Sequence, residues 1–225
     1  MSSDQKPMSP LSPDLGADIV GFLTEPGWMI AAFWFLLIAS LVIANYVAVT
    51  IPWQRRFGHV AQWAVRFLVG AMWWRQSLQN LPPDYTDHPE QPFGETGLAY
   101  WLMLMGRHAA IAVQADFVNY IVLPNFYVFA AVIFGLEVLI GVSLMLGAFV
   151  RLFAVIGALQ MLSLWLGLYG APNGSPGSYF VLLLLMLVLA LQQFGRSLGI
   201  DAILAVRRPA RFATGFGRRL LDAIT

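Results

Sequence analysis

The sequence predicts an all-α membrane protein: a four-helix transmembrane bundle preceded by one additional N-terminal transmembrane helix, with a helix lying on the outer interface. Three observations predict it. Of 225 residues, 59% are hydrophobic and only 11% charged, against about 25% charged in soluble domains. The apolar residues fall into runs long enough to cross a bilayer, which takes about 20 residues of helix. The basic residues, finally, are gathered at the ends of those runs in a way that gives the chain a direction.

Four runs read directly as spans: Trp28 to Ile51, Phe126 to Ala148, Leu152 to Tyr169 and Ser178 to Phe194. A fifth, Val60 to Leu81, carries Gln62, Arg66, Arg75 and Gln76, so it belongs inside a bundle rather than against lipid. Gly97 to Leu123 is apolar but interrupted by Arg107, His108, Gln114, Asp116 and Asn119. It is assigned to the outer interface, because a sixth span together with a cytoplasmic tail would move Arg55 and Arg56 outside. Five spans put the N-terminus outside and the C-terminus in the cytoplasm. Arg55, Arg56, Arg151 and the tail arginines Arg196, Arg207, Arg208, Arg211, Arg218 and Arg219 then lie inside. Asp4, Asp14, Asp18, Glu25, Asp84, Asp87, Glu90, Glu95 and Asp116 lie outside. Such a chain is expected in a prokaryotic inner membrane.

The expected organisation is therefore a flexible outer tail over 1–27, the additional span and its inner turn over 28–56, the four-helix membrane domain over 57–204, and a basic cytoplasmic tail over 205–225. An outer loop and the interfacial helix occupy 82–124 of the membrane domain. The first 25 residues are not expected to be a secretory signal, since no basic stretch precedes the apolar run. Ile203, Leu204 and Val206 among arginines suit contact with an anionic inner leaflet.

Glu137 is the most informative residue, because it interrupts the run Phe126 to Ala148. An acidic group at mid-membrane costs about 2.5 to 3.5 kcal/mol unless it gains a partner or a proton. The second span offers Arg66 and Arg75 as partners. They stand nine positions apart, about 180° around a helix, so only one can face Glu137. Either an ion pair fixes the packing, or Glu137 handles protons or a ligand. Gln160 and Ser163 on the fourth span can hydrogen-bond across the bundle or line a pocket. Gly135, Gly141, Gly147 and Gly157 are expected to let helices approach closely. Trp165, Tyr169 and Tyr179 cluster near the outer interface, where an aromatic belt is expected, and the same flat rings would suit a quinone headgroup.

Several chemistries are excluded by residue type. There is no cysteine, so thiolate iron–sulfur ligation is not available within the chain. The three histidines, His59, His88 and His108, fall at different places along the topology, and no pair is set to hold a haem or a metal. No nucleic-acid signature is present. Arg107 and His108 are candidates for an anionic substrate at the outer surface.

The run "FGLEVLIGVSLMLGAFVRLFAVIGALQMLS" from Phe134 to Ser163, the closing "FGRSLGIDAIL" from Phe194 to Leu204 and "RFLVG" from Arg66 to Gly70 resemble, in that order, the motifs of DoxX-like membrane proteins. With the insertion before the Glu-bearing helix and "VLPN" at Val122 to Asn125, the chain is most similar to the DoxD branch, the small membrane subunit of thiosulfate:quinone oxidoreductase. The resemblance covers Arg66 to Leu204, and the span Trp28 to Ile51 is additional to it. It implies a quinone-linked oxidoreductase subunit that works with other membrane or outer-face subunits. Arg66, Arg75 and Glu137 would surround a quinone pocket shared with Gln160, Trp73, Trp74 and Trp165. Arg151, Arg196 and Asp201 would be structural charges. The alternative is a non-catalytic accessory subunit of a larger respiratory or photosynthetic complex, in which the buried charges only hold the fold.

Overall fold

The computed structural model describes residues 20–21, 23–24, 27–86, 97–172 and 174–206. The expected outer tail, apart from a few of its residues, lies outside them, as do much of the outer loop and the basic tail from Arg207 onward. Among the described residues every regular element is helical. Eight α-helices follow in order: α1 (Trp28–Thr50), α2 (Phe57–Leu78), α3 (Gly97–His108), α4 (Ala112–Phe117), α5 (Phe126–Leu146), α6 (Val150–Gly167), α7 (Pro176–Leu191) and α8 (Ile200–Val206).

Helix α1, the continuous helical stretch Ala112–Leu146 and α6 are long and apolar enough to cross a membrane, and α7 is a shorter apolar helix of the same kind. Their outward faces carry large apolar side chains such as Phe35, Val42, Leu159 and Leu191. That surface calls for lipid rather than water. The chain is an α-helical membrane protein. Helix α2, which carries both Arg66 and Arg75, packs most closely against α5.

Glycine explains that contact. A Cβ on Gly70 would sit 3.0 Å from the Gly141 carbonyl oxygen, and one on Gly141 would sit 3.3 Å from the Gly70 oxygen. The two backbones meet where neither side chain intervenes, as small residues permit in membrane bundles. Gly157 leaves room for Met186 and Trp73 in the same way, whereas Gly135 faces open space and takes no part.

The segment read as a single interfacial helix is a helical hairpin instead. Helix α3 ends at His108, and α4 begins at Ala112 and runs through a π-helical turn (Val118–Val122) and a 3-10 turn (Leu123–Asn125) into α5. The break arises because the end of α6 captures the turn: Ala110 N–H donates to the Leu166 carbonyl at 2.8 Å, and Gly170 N–H to that of His108 at 3.3 Å. Gln114 Nε2 then donates to the Ser163 carbonyl at 2.6 Å and to its hydroxyl at 3.1 Å. The hairpin is thereby tied to the C-terminal end of α6 and leads into the start of α5.

Asp201 closes the opposite end. Its carboxylate accepts the amides of Phe149 (2.8 Å) and Val150 (3.1 Å), at the start of α6, and its own amide donates to the Gly147 carbonyl at 2.8 Å. This is the helix N-terminus at which an acidic side chain is favoured. Gly147 is left-handed (φ 71°), and a Cβ there would overlap the Arg66 guanidinium. Arg66 is wholly buried, and its three nitrogens make no hydrogen bond among the described residues. The neighbouring charge of Asp201 is its electrostatic partner.

Candidate functional site

Between the α3–α4 hairpin and helices α5, α6 and α7 lies a cavity of about 530 Å³. Leu102, Phe117, Phe129, Ile133, Leu136, Ile156 and Leu164 make most of its wall. The polar groups gather on one side, where Gln76, Gln79 and Asn80 at the end of α2 face Glu137 on α5 and Gln160 on α6; Gln114, Ser163 and Tyr179 also reach it. An apolar volume of this size with a few convergent polar groups is the usual form of a small-molecule site.

Glu137 is 3% exposed. Its Oε2 accepts a hydrogen bond from Asn80 Nδ2 at 2.8 Å, and its Oε1 one from Gln160 Nε2 at 3.3 Å. The expected arginine partner is therefore not what holds it. Arg66 packs against Gly147, ten residues beyond Glu137 in the sequence, which is about 15 Å along α5. Arg75 stands on the exposed face of α2. The two arginines do lie on different faces, and neither lines the cavity among the described residues. Two neutral amides solvate the carboxylate instead, and among the described residues no cation is seen to neutralise it.

Asn80 was not among the candidate residues. The signal was present, since it continues the helical spacing of Arg66, Gly70, Trp73 and Ser77. It lies just past the last residue of α2, where a polar residue reads as an interfacial end. Gln160 does line the cavity, and its Oε1 is buried without a hydrogen-bond partner.

The tryptophans behave differently from a ring cage. Trp73 donates its indole N–H to Met186 Sδ at 3.3 Å, and Trp74 donates to the Met29 carbonyl at 3.2 Å. Both are core residues because their N–H groups find partners inside the bundle. Trp165 stacks beside Phe180, with ring centroids 5.1 Å apart, and beside Tyr169 at 6.2 Å. None of the three lines the cavity.

Arg107 is exposed and His108 part-buried at the turn of the hairpin, outside the cavity wall. Arg151 donates from Nε to the Ala190 carbonyl at 3.0 Å, tying α6 to α7. Arg196 donates to Gln193 Oε1 at 3.2 Å, and its carbonyl receives Gln54 Nε2 at 2.8 Å. Burial pushes the Asp201 carboxyl up to about 6, opposed by the Phe149 and Val150 amides and by the charges of Arg66 and Arg196. Among the described residues no three His, Asp or Glu side chains gather as metal ligands.

No family model, curated protein or solved structure matches the chain.

Proposed function

We infer that this chain is the membrane subunit of a quinone-linked oxidoreductase, with the Glu137 cavity as its quinone site. The observation that carries the reading is a buried carboxylate, held by two amides, in the wall of a large apolar cavity among membrane-spanning helices. Reduction of a quinone consumes two electrons and two protons, so its headgroup needs a proton-exchanging group next to a space for its apolar tail. Glu137 supplies the first and the cavity the second. No side chain of the chain can store an electron pair, so the electrons come from a partner subunit at the outer face. The similarity to the DoxD branch makes thiosulfate or a related sulfur anion the donor. Arg107 and His108 stand at the outer turn, where such an anion would arrive.

The topology that goes with this reading has five spans, α1, α2, α5, α6 and α7, with the N-terminus outside a prokaryotic inner membrane. It is supported by the way Arg55, Arg56, Arg151 and Arg196 collect at the Asp201 end of the bundle, away from the hairpin.

The test is purification in mild detergent with quantification of bound quinone by mass spectrometry, for the native chain and for Glu137→Gln. Stoichiometric quinone in the native chain, with lost turnover but intact assembly in Glu137→Gln, is the expected result. Absence of quinone from both, with the chain recovered inside a large pigment- or haem-bearing complex, would favour the accessory-subunit reading. One observation already favours that alternative: the Arg66–Asp201 pair serves the fold and is remote from the cavity.

A further inference from the structure

We propose, on the quinone reading of the Glu137 cavity, that the site selects a ring that donates a hydroxyl and so holds the hydroquinone in preference to the quinone.

The polar side of the cavity has a sign. Glu137 is the only charged side chain in its wall among the described residues, and an ionised carboxylate can only accept hydrogen bonds. Asn80 Nδ2 and Gln160 Nε2 donate to its two oxygens, at 2.8 and 3.3 Å. The second of these bonds sets the direction of the Gln160 amide, because turning it over would put its oxygen against the carboxylate. Gln160 Oε1 is thereby left buried with no hydrogen-bond partner. Such acceptors are uncommon in folded chains, since each forfeits its water without a replacement.

Both groups call for a donor. A ring hydroxyl is one, and it can donate to the carboxylate or to Gln160 Oε1. A quinone carbonyl only accepts, and beside Glu137 it would exchange its water for a repelling charge. The rest of the polar wall does not reverse this choice. Gln114 Nε2 is already turned onto the carbonyl and hydroxyl of Ser163. The amides of Gln76 and Gln79 and the Tyr179 hydroxyl can each donate or accept, so they serve either form alike.

The remainder of the ligand is apolar. Phe117 on α4 and Leu159 on α6 line the cavity and are 46% and 62% exposed. A tail passing between these two helices would run from the cavity onto the lipid-facing surface. The selection also bears on electron flow. A tenfold preference for the reduced ring raises the two-electron potential of the bound couple by about 30 mV, which draws electrons onto a bound quinone.

The test uses the full chain in detergent without oxygen, titrated calorimetrically with a decyl-substituted hydroquinone and with the corresponding quinone. Decylphenol and decylbenzene form a second pair that differs in the hydroxyl and cannot interconvert by redox. We expect the hydroxyl-bearing member of each pair to bind about tenfold tighter, the scale of one charge-assisted hydrogen bond. In Glu137→Gln the new amide can donate as well as accept, and each ratio should fall to within about twofold. Should that variant fail to fold, Gln160→Met carries the test with about a threefold fall in both ratios. Quinone bound as tightly as hydroquinone, with both weakened in Glu137→Gln, overturns the selection and keeps the quinone site. A Glu137-dependent preference for the phenol, with neither quinone form bound, keeps the selection and overturns the quinone reading. Binding of all four rings indifferent to Glu137 and Gln160, or binding of none, overturns both.

Discussion

Asn80, just past the last residue of α2, donates a 2.8 Å hydrogen bond to Glu137 in the middle of α5, so the carboxylate is reached from the C-terminal end of its neighbour. The interaction joins the packing of α2 on α5 to the wall of the cavity. It also separates the two kinds of charge in this bundle. Glu137 rests on amides, whereas Asp201 caps the start of α6 with the Arg66 charge nearby.

Removing the Asn80 amide should leave a buried acceptor unsatisfied. Asn80→Ala is expected to destabilise the chain by about 1 to 3 kcal/mol, measured by detergent-micelle unfolding. Asn80→Asp should be worse, because it places a second carboxylate against Glu137.

Gly147 and Gly135 lie on one helix segment but should respond oppositely. Gly147→Ala drives a methyl into the Arg66 guanidinium at a left-handed backbone position, and we expect a loss on the order of 3 kcal/mol or failure to fold. Gly135→Ala meets nothing within 4 Å and should be neutral or stabilising by up to about 1 kcal/mol through helix propensity. Thermal melts of the two variants side by side check this.

Asp201 gives the chain a pH dependence with a definite sign. Its carboxyl titrates at about 6 in the folded chain, above the ordinary value of about 3.9. The folded state therefore holds the proton more tightly, and this group's contribution to stability falls as pH rises from about 4 to about 6, then stays level. Subtracting the unfolding free energies of Asp201→Asn from those of the native chain across that window should reveal a slope worth roughly 2 kcal/mol. A difference that rises with pH would contradict it.

The α3–α4 hairpin is held to α6 by Gln114 on Ser163. Gln114→Ala should speed amide exchange over Gly97–Asn125 by about tenfold, the effect of one hydrogen bond of about 1 kcal/mol or slightly more. Exchange in α6 and α7 should be unchanged. Hydrogen–deuterium exchange with peptide-level readout measures both.

The helices themselves were legible in the residues, because apolar run length and breaker positions are local properties. All five runs read as spans are helical, such as Phe57–Leu78 for the run read as Val60 to Leu81, although the run from Phe126 continues a helical stretch that already begins at Ala112. The prominence of Glu137 was legible too, since a lone carboxylate in an apolar helix has to be accommodated wherever that helix lies. The opposite faces of Arg66 and Arg75 followed from the helical period. The hairpin did not, because its break at Ala109–Ile111 depends on hydrogen bonds to Leu166 and Gly170, more than 50 residues away.

By itself the sequence determined that this is a membrane-embedded helical chain with a carboxylate in the middle of one of its apolar helices. Those properties follow from side-chain transfer energies and helix geometry, which need no partner. Tertiary structure alone decided that Glu137 meets Asn80 and Gln160 rather than an arginine, that Asp201 caps the start of α6, and that Trp73 and Trp74 belong to the core. The physical reason is register. A shift of one helical turn, about 5.4 Å, exchanges which residues face each other, and the register here is set by the close Gly70–Gly141 contact rather than by the charges.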